Sequence, residues 1–177
     1  MKLNSNILIL LFLLLFLHKN VSAQKHTDTL EAKSFKHGLG VGAGFTTGYG
    51  LSYRFLPEQI GVQICFAPYK SDYTTQYSLG LTFLFKIIET EYTNLFIYQG
   101  NHFFYTKEKY DNYIYSYPSY TITPTQFVNK YWNNGMGIGI EFIILKRVSF
   151  NLMGGYAGYE NFKNVGITGE TGLYFRF

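Results

Sequence analysis

The side chains able to do acid–base or nucleophilic chemistry are few in this 177-residue chain, and their spacing does not serve it. Of four histidines, His18 falls in an apolar N-terminal run, His26 in a polar stretch behind it, and His37 where a regular alternation begins. Only His102 sits inside a strand-like segment. A general base needs a nucleophile and an orienting group within hydrogen-bond reach, and no Ser/His/Asp set accompanies it. Cys65 is the single cysteine, so there is no intramolecular disulfide framework, and no Cys/His spacing suits a metal. The runs GLGVGAGF and GMGIGIEF have the glycine density of a phosphate loop. They lie within alternating segments, where no helix N-terminus follows to hold phosphate. No catalytic residue, metal or cofactor is expected.

Two other sets remain. Arg54, Lys86, Glu141, Glu170 and Arg176 each occupy the polar phase of an alternating segment. On the inner side of a narrow barrel they would have to pair with one another, because buried charges need partners; a proton or ion path is the functional alternative to such a plug. The second set is Tyr110, Tyr113, Tyr115, Tyr117 and Tyr120, with Lys107, Lys109 and Asp111, in a stretch over 106–130 read as irregular. Tyrosines offer large contact area at small rotamer cost, which suits recognition of a protein or glycan. Equally, Tyr113, Tyr115 and Tyr117 would be plain extensions of the flanking strands, with some rings in an interfacial belt.

The elements that position these residues follow from a period of two. In the closing stretch VGITGETGLYFRF, Leu173, Phe175 and Phe177 fall on one face, and Glu170, Gly172, Tyr174 and Arg176 on the other. The same two-faced pattern recurs upstream, giving eight strands near 37–45, 49–55, 60–67, 77–86, 94–105, 134–145, 148–159 and 165–177. Leu39, Val41, Ala43 and Phe45 alternate with glycines. Glycine at every second position makes a poor solvated surface but leaves room in a crowded lumen. The fifth segment resists assignment, because Leu95, Phe96, Ile97 and Tyr98 are consecutive and apolar. Turns are expected at 46–48, 57–58, 68–74, 89–93, 146–147 and 160–164. With both chain ends on one side, 46–48, 68–74, 106–130 and 160–164 face outward.

Residues 1–23 read as a cleaved signal peptide: Lys2, an apolar run from Ile7 to Leu17, then Val21-Ser22-Ala23. The run is too short for the roughly 20 residues of a membrane-spanning helix. Residues 24–36 read as a polar leader and 37–177 as the folded barrel. The remaining 13 basic and 11 acidic residues leave a charge of about +2, too small and dispersed for nucleic acid.

With these features in place, the chain resembles the small outer-membrane β-barrel proteins of Gram-negative bacteria, of the OmpX/OmpA-barrel type. The features are the terminal GLYFRF, ending on Phe177 with Leu173, Tyr174 and Phe175 before it, and the alternating glycine strands. The resemblance implies an all-β, eight-stranded antiparallel up-and-down transmembrane barrel. It implies that Leu173, Tyr174, Phe175 and Phe177 form a signal read by the outer-membrane assembly machinery, and that outer-membrane lipid and lipopolysaccharide surround a monomer. Lipid A deacylases on this fold use a His with a Ser two residues on and an acidic partner; here Phe103-Phe104 follow His102. The leading expectation is therefore a structural or surface-interaction protein acting through its Tyr-rich loop. A lipid-modifying enzyme and a narrow ion-conducting barrel are the alternatives. A soluble lipocalin-like barrel is disfavoured, since it would place the glycine and charge rows in water and a Gly-x-Trp near the first strand, whereas the single Trp is Trp132.

Overall fold

The computed structural model describes residues 35–116 and 119–177, without the side chains of 111–124. The expected signal peptide and all of the leader but Phe35 and Lys36 lie outside the described residues. The rest folds as eight antiparallel strands: β1 (His37–Gly44), β2 (Gly50–Phe55), β3 (Ile60–Lys70), β4 (Thr74–Glu89), β5 (Thr93–Ser116), β6 (Ser119–Ile144), β7 (Val148–Tyr159) and β8 (Asn164–Arg176). Each strand pairs with the next, and β8 pairs back onto β1 to close the ring. At the seam Gly38 stands opposite Arg176 and Gly44 opposite Glu170. His37 and Phe177 exchange backbone hydrogen bonds of 3.2 and 3.0 Å, and their rings stack at 5.6 Å. Closure leaves no sheet edge within the ring itself.

Burial runs opposite to that of a water-soluble protein. Leu51 is 70% exposed, Ile138 60% and Ile167 79%, whereas Asn151 is fully buried and Glu141 only 3% exposed. The alternation expected from sequence is therefore present, with the apolar rows outside and the polar rows inside. β5 obeys it too. Leu95 and Ile97 face out, while Phe96 and Tyr98 turn in to form, with Leu84 and Met153, a small apolar cluster in the lumen. Four consecutive apolar residues concealed this phase, because both faces of that strand are apolar there. A register shift between Lys86 and Ile88 adds a local irregularity on β4.

Three expectations need correction. The stretch 106–130 is not a loop: β5 has 24 residues and β6 has 26, and they stay in register as far as Ser116 opposite Ser119. Its Tyr, Thr and Ile content favours strand, and the Tyr113–Ile122 and Tyr115–Tyr120 pairs continue the ladder without a break. Pro124 is tolerated because β6 has no neighbour other than β5 at that height. Likewise β3 continues through Pro68 to Lys70, leaving 71–73 as the turn to β4.

The third correction concerns 46–48. This turn does not face outward; it folds into the barrel. Thr46 and Thr47 are essentially inaccessible. Gly48 (φ 78°) and Gly50 (φ 113°) have left-handed φ values, which turn the chain inward and take Tyr49 off the outer face. Space for this comes from glycines on the opposite wall. A Cβ at Gly80 would lie 1.7 Å from the Thr47 carbonyl oxygen, and one at Gly100 2.7 Å from that of Thr46.

Candidate functional site

The inward turn leaves polar backbone atoms far from water, and several of them find partners on other strands. Phe45 presents its carbonyl oxygen to His102 Nδ1 at 3.0 Å and to Asn133 Nδ2 at 3.1 Å, both of which donate. The Thr46 and Thr47 N–H groups donate to the two carboxylate oxygens of Glu170 at 3.1 and 3.3 Å. Their hydroxyls donate to the same oxygens at 2.6 and 2.8 Å, and the Thr168 hydroxyl adds a fifth bond at 2.7 Å. Tyr49 N–H donates to Ser78 Oγ at 3.2 Å. A buried carboxylate is thus held by five donors and, among the described residues, by no cation. The arrangement places the turn inside the lumen at this level.

The five charges of the polar phase therefore do not form one network. Arg54 and Glu141 pair across the lumen at 3.0 Å. Arg54 also donates to Gln63 Oε1 and stacks its guanidinium 4.1 Å over the Tyr174 ring, and Asn94 donates to the other Glu141 oxygen. Lys86 turns to Glu89 on its own strand at 2.7 Å. Arg176 is half-buried at the lower rim, 6.0 Å over the Phe35 ring. Glu170 lies six residues up β1 from the level of Arg54, roughly 20 Å along the strand. Parity put these residues on one face; Arg176 shares the level of Arg54, both standing opposite Gly38, whereas height along the strand separates Glu170 from them.

His102 lies within β5, the strand-like segment expected to hold it. It is buried, and its Nε2 lies 2.9 Å from Ser78 Oγ. Since Nδ1–H points at a carbonyl oxygen, Nε2 of the neutral ring accepts the Ser78 hydroxyl proton. This Ser–His contact joins β4 to β5, and a scan for a serine near in sequence misses it. The third member is a backbone carbonyl rather than an acid, and Ser78 has no accessible surface. Acyl transfer needs a nucleophile that substrate can reach; here the pair anchors the turn.

Above the turn lies a cavity of about 470 Å³, lined by Phe45, Tyr49, His102, Phe104, Tyr131 and Asn133. Its rings contact one another, Phe104 with Tyr131 at 5.0 Å and Tyr49 with His102 edge-to-face at 5.7 Å. Past this vestibule only β5 and β6 continue. The β4–β5 ladder ends at Thr74 opposite Glu108, and the β6–β7 ladder begins at Asn134 opposite Gly158. A two-stranded ribbon therefore rises beyond the ring.

The chain is similar in fold to small outer-membrane β-barrels. The N-terminal β-barrel domain of Pseudomonas aeruginosa OprF aligns with a TM-score of 0.48 at 13% identity, covering 80% of this chain and 95% of that one. Neisserial surface protein A aligns at 0.39 and 14% identity, covering 80% and 94%. Ail, the attachment invasion locus protein of Yersinia pestis, aligns at 0.40 and 18% identity, covering 80% and 95%. No family model matches the sequence, and no curated protein matches it either.

The hairpin carries the tyrosine set. Tyr110 is exposed, packs edge-to-face on Phe127 at 5.9 Å and donates to Glu108. Tyr113, Tyr115 and Tyr120 occupy ladder positions, and Tyr117 lies outside the described residues. At the seam Leu173, Phe175 and Phe177 are exposed on the outer face, whereas Tyr174 is buried, 2.9 Å from Ser52 Oγ. Among the described residues no His/Cys/Asp/Glu group is placed to hold a metal.

Proposed function

We propose that this chain is an outer-membrane barrel whose plugged ring serves as a rigid base for the β5–β6 hairpin, and that the hairpin makes its contacts at the cell surface. The hairpin's length carries this reading. A membrane-crossing strand needs ~9–11 residues, so strands of 24 and 26 residues leave more than half their length beyond the bilayer. The apolar outer rows supply the lipid-facing band. Even strand number puts both ends of the ring on the periplasmic side and the hairpin outside.

The inward turn and the Arg54–Glu141 pair weigh against conduction, since eight strands leave room only for side chains. The inaccessible Ser78 weighs against lipid modification. Protease added to intact cells should cut within 109–127 and leave a fragment that still migrates differently before and after boiling. Cleavage confined to permeabilised cells would reverse the orientation. Mature chain that stays soluble without detergent would overturn the barrel reading. Planar-bilayer recordings should show no steady conductance, and lipid A mass spectra should be identical with and without the protein.

A further inference from the structure

At the base of the hairpin the outer face changes from apolar to cationic within one row of residues. Across the ladder Lys70 stands beside Thr75, Thr75 beside Lys107, and Lys107 beside Val128. Lys109 follows two positions along β5, and Lys130 stands opposite Tyr105. All four lysines share the outward phase of Tyr77 and Trp132. The Lys130 ammonium, 5.6 Å over the Tyr105 ring, confirms it, as does the Tyr105–Tyr77 contact at 5.8 Å. Strands lie ~4.8 Å apart and same-face neighbours ~6.8 Å apart. Lys107 is therefore ~7 Å from Lys109, ~8 Å from Lys130 and ~10 Å from Lys70, while Lys109 and Lys130, four positions apart along the ladder, lie ~14 Å from each other.

Among the described residues none of the four is in an ion pair. Glu108, the nearest acid along β5, has the opposite phase and is bonded by Tyr110. Lys107 lies at about the ~8 Å screening length of physiological salt from both Lys109 and Lys130, so it repels each of them until an anion joins them. Directly below runs a row of aromatic rings, Tyr77, Tyr105, Phe103 and Trp132, the last two 5.2 Å apart. Aromatic rows on an apolar barrel sit at the level of lipid headgroups, and the anion fixed at that level is phosphate.

We propose that Lys107, Lys109 and Lys130, flanked by Lys70 and the Thr75 hydroxyl, bind the phosphate groups of an outer-leaflet lipid headgroup. This rests on the membrane orientation proposed above and names a ligand for the outer base of the hairpin.

Trp132, the single tryptophan, lies next to the patch and reports on it directly. The mature chain, refolded in neutral detergent micelles, is first checked for a boiling-dependent gel shift. It is then titrated with lipopolysaccharide, with its enzymatically dephosphorylated form and with inorganic phosphate. Trp132 emission and native mass spectrometry are read together. Phosphorylated lipid should bind saturably, and the dephosphorylated form at least tenfold more weakly. K107Q/K109Q/K130Q should lose roughly a hundredfold in affinity while keeping the gel shift, at about fivefold per lysine near a charged lipid surface. K146Q, at the opposite rim, should bind like the parent chain. Equal binding by the triple variant, equal binding of dephosphorylated lipid, or no bound lipid by either readout would overturn the site. Inorganic phosphate competing as well as the lipid would assign the patch to the free anion and overturn the lipid assignment. Failure of the gel shift in the parent chain would instead reject the barrel reading on which the site depends.

Discussion

Replacing Glu170 tests whether a buried carboxylate without a cation stabilises this barrel or burdens it. Desolvating a charge costs several kcal/mol after relaxation, which argues for relief on neutralising it. Against this stand five donors, two of them backbone N–H groups that cannot turn elsewhere. Hydrogen bonds to a charged group contribute about 1.5–3 kcal/mol each, and an orphaned buried donor costs about 1–3 kcal/mol. Three hydroxyls can rotate to new acceptors. In Glu170→Ala the Thr46 and Thr47 N–H groups cannot, so the loss should be about 2–6 kcal/mol. Glu170→Gln keeps one acceptor oxygen but points an NH₂ at one backbone N–H, so about 1–3 kcal/mol should be lost. Urea unfolding of micelle-refolded protein, followed by Trp132 emission, measures both. The expected order is Glu, then Gln, then Ala. A Gln variant more stable than the parent would show that charge desolvation outweighs the five bonds, and the account of the turn would fail.

Gly80→Ala should expel or distort the turn, because its methyl would meet the Thr47 carbonyl oxygen, at a cost of about 1–3 kcal/mol. Gly169→Ala, with nothing within 4 Å, should change stability by less than ~0.5 kcal/mol in the same assay. Breaking the buried pair with Glu141→Ala should cost about 3–5 kcal/mol by stranding Arg54, and the double variant R54M/E141L should recover most of it. Equal losses in the single and double variants would show that the pair is not coupled. Cys65, fully buried in the lumen, should resist a thiol reagent in the folded protein and react at once in denaturant, read by mass shift.

The alternation of Leu39, Val41 and Phe45 with glycine, and of Ile138 and Ile140 with Gly139, was enough to read the barrel, because a period of two is local and each strand repeats it. Parity also assigned Arg54 and Glu141 to the inside. What parity cannot carry is height. It could not tell that Glu170 and Arg54 lie roughly 20 Å apart along the seam, nor that Ser78 meets His102. The inward turn was hidden for a related reason. Thr46-Thr47-Gly48 looks like any surface turn, and the glycines that receive it, Gly80 and Gly100, are 33 and 53 positions away from Thr47. The irregular reading of 106–130 failed because its Asn and Lys suit a loop, while the alternative, that Tyr113 and Tyr115 extend the flanking strands, is what the ladder shows.

The Glu170 clasp also sets an order of events. Thr46 and Thr47 belong to the first hairpin of the barrel, yet their carboxylate partner is on the last strand, 124 and 123 residues on. Until β8 arrives, the turn holds two backbone N–H groups and two hydroxyls that have no lasting reason to leave water. The arrival of β8 closes the ring through β1 and supplies the oxygens that draw the turn inside. Sealing the wall and stopping the bore thus both draw on β8.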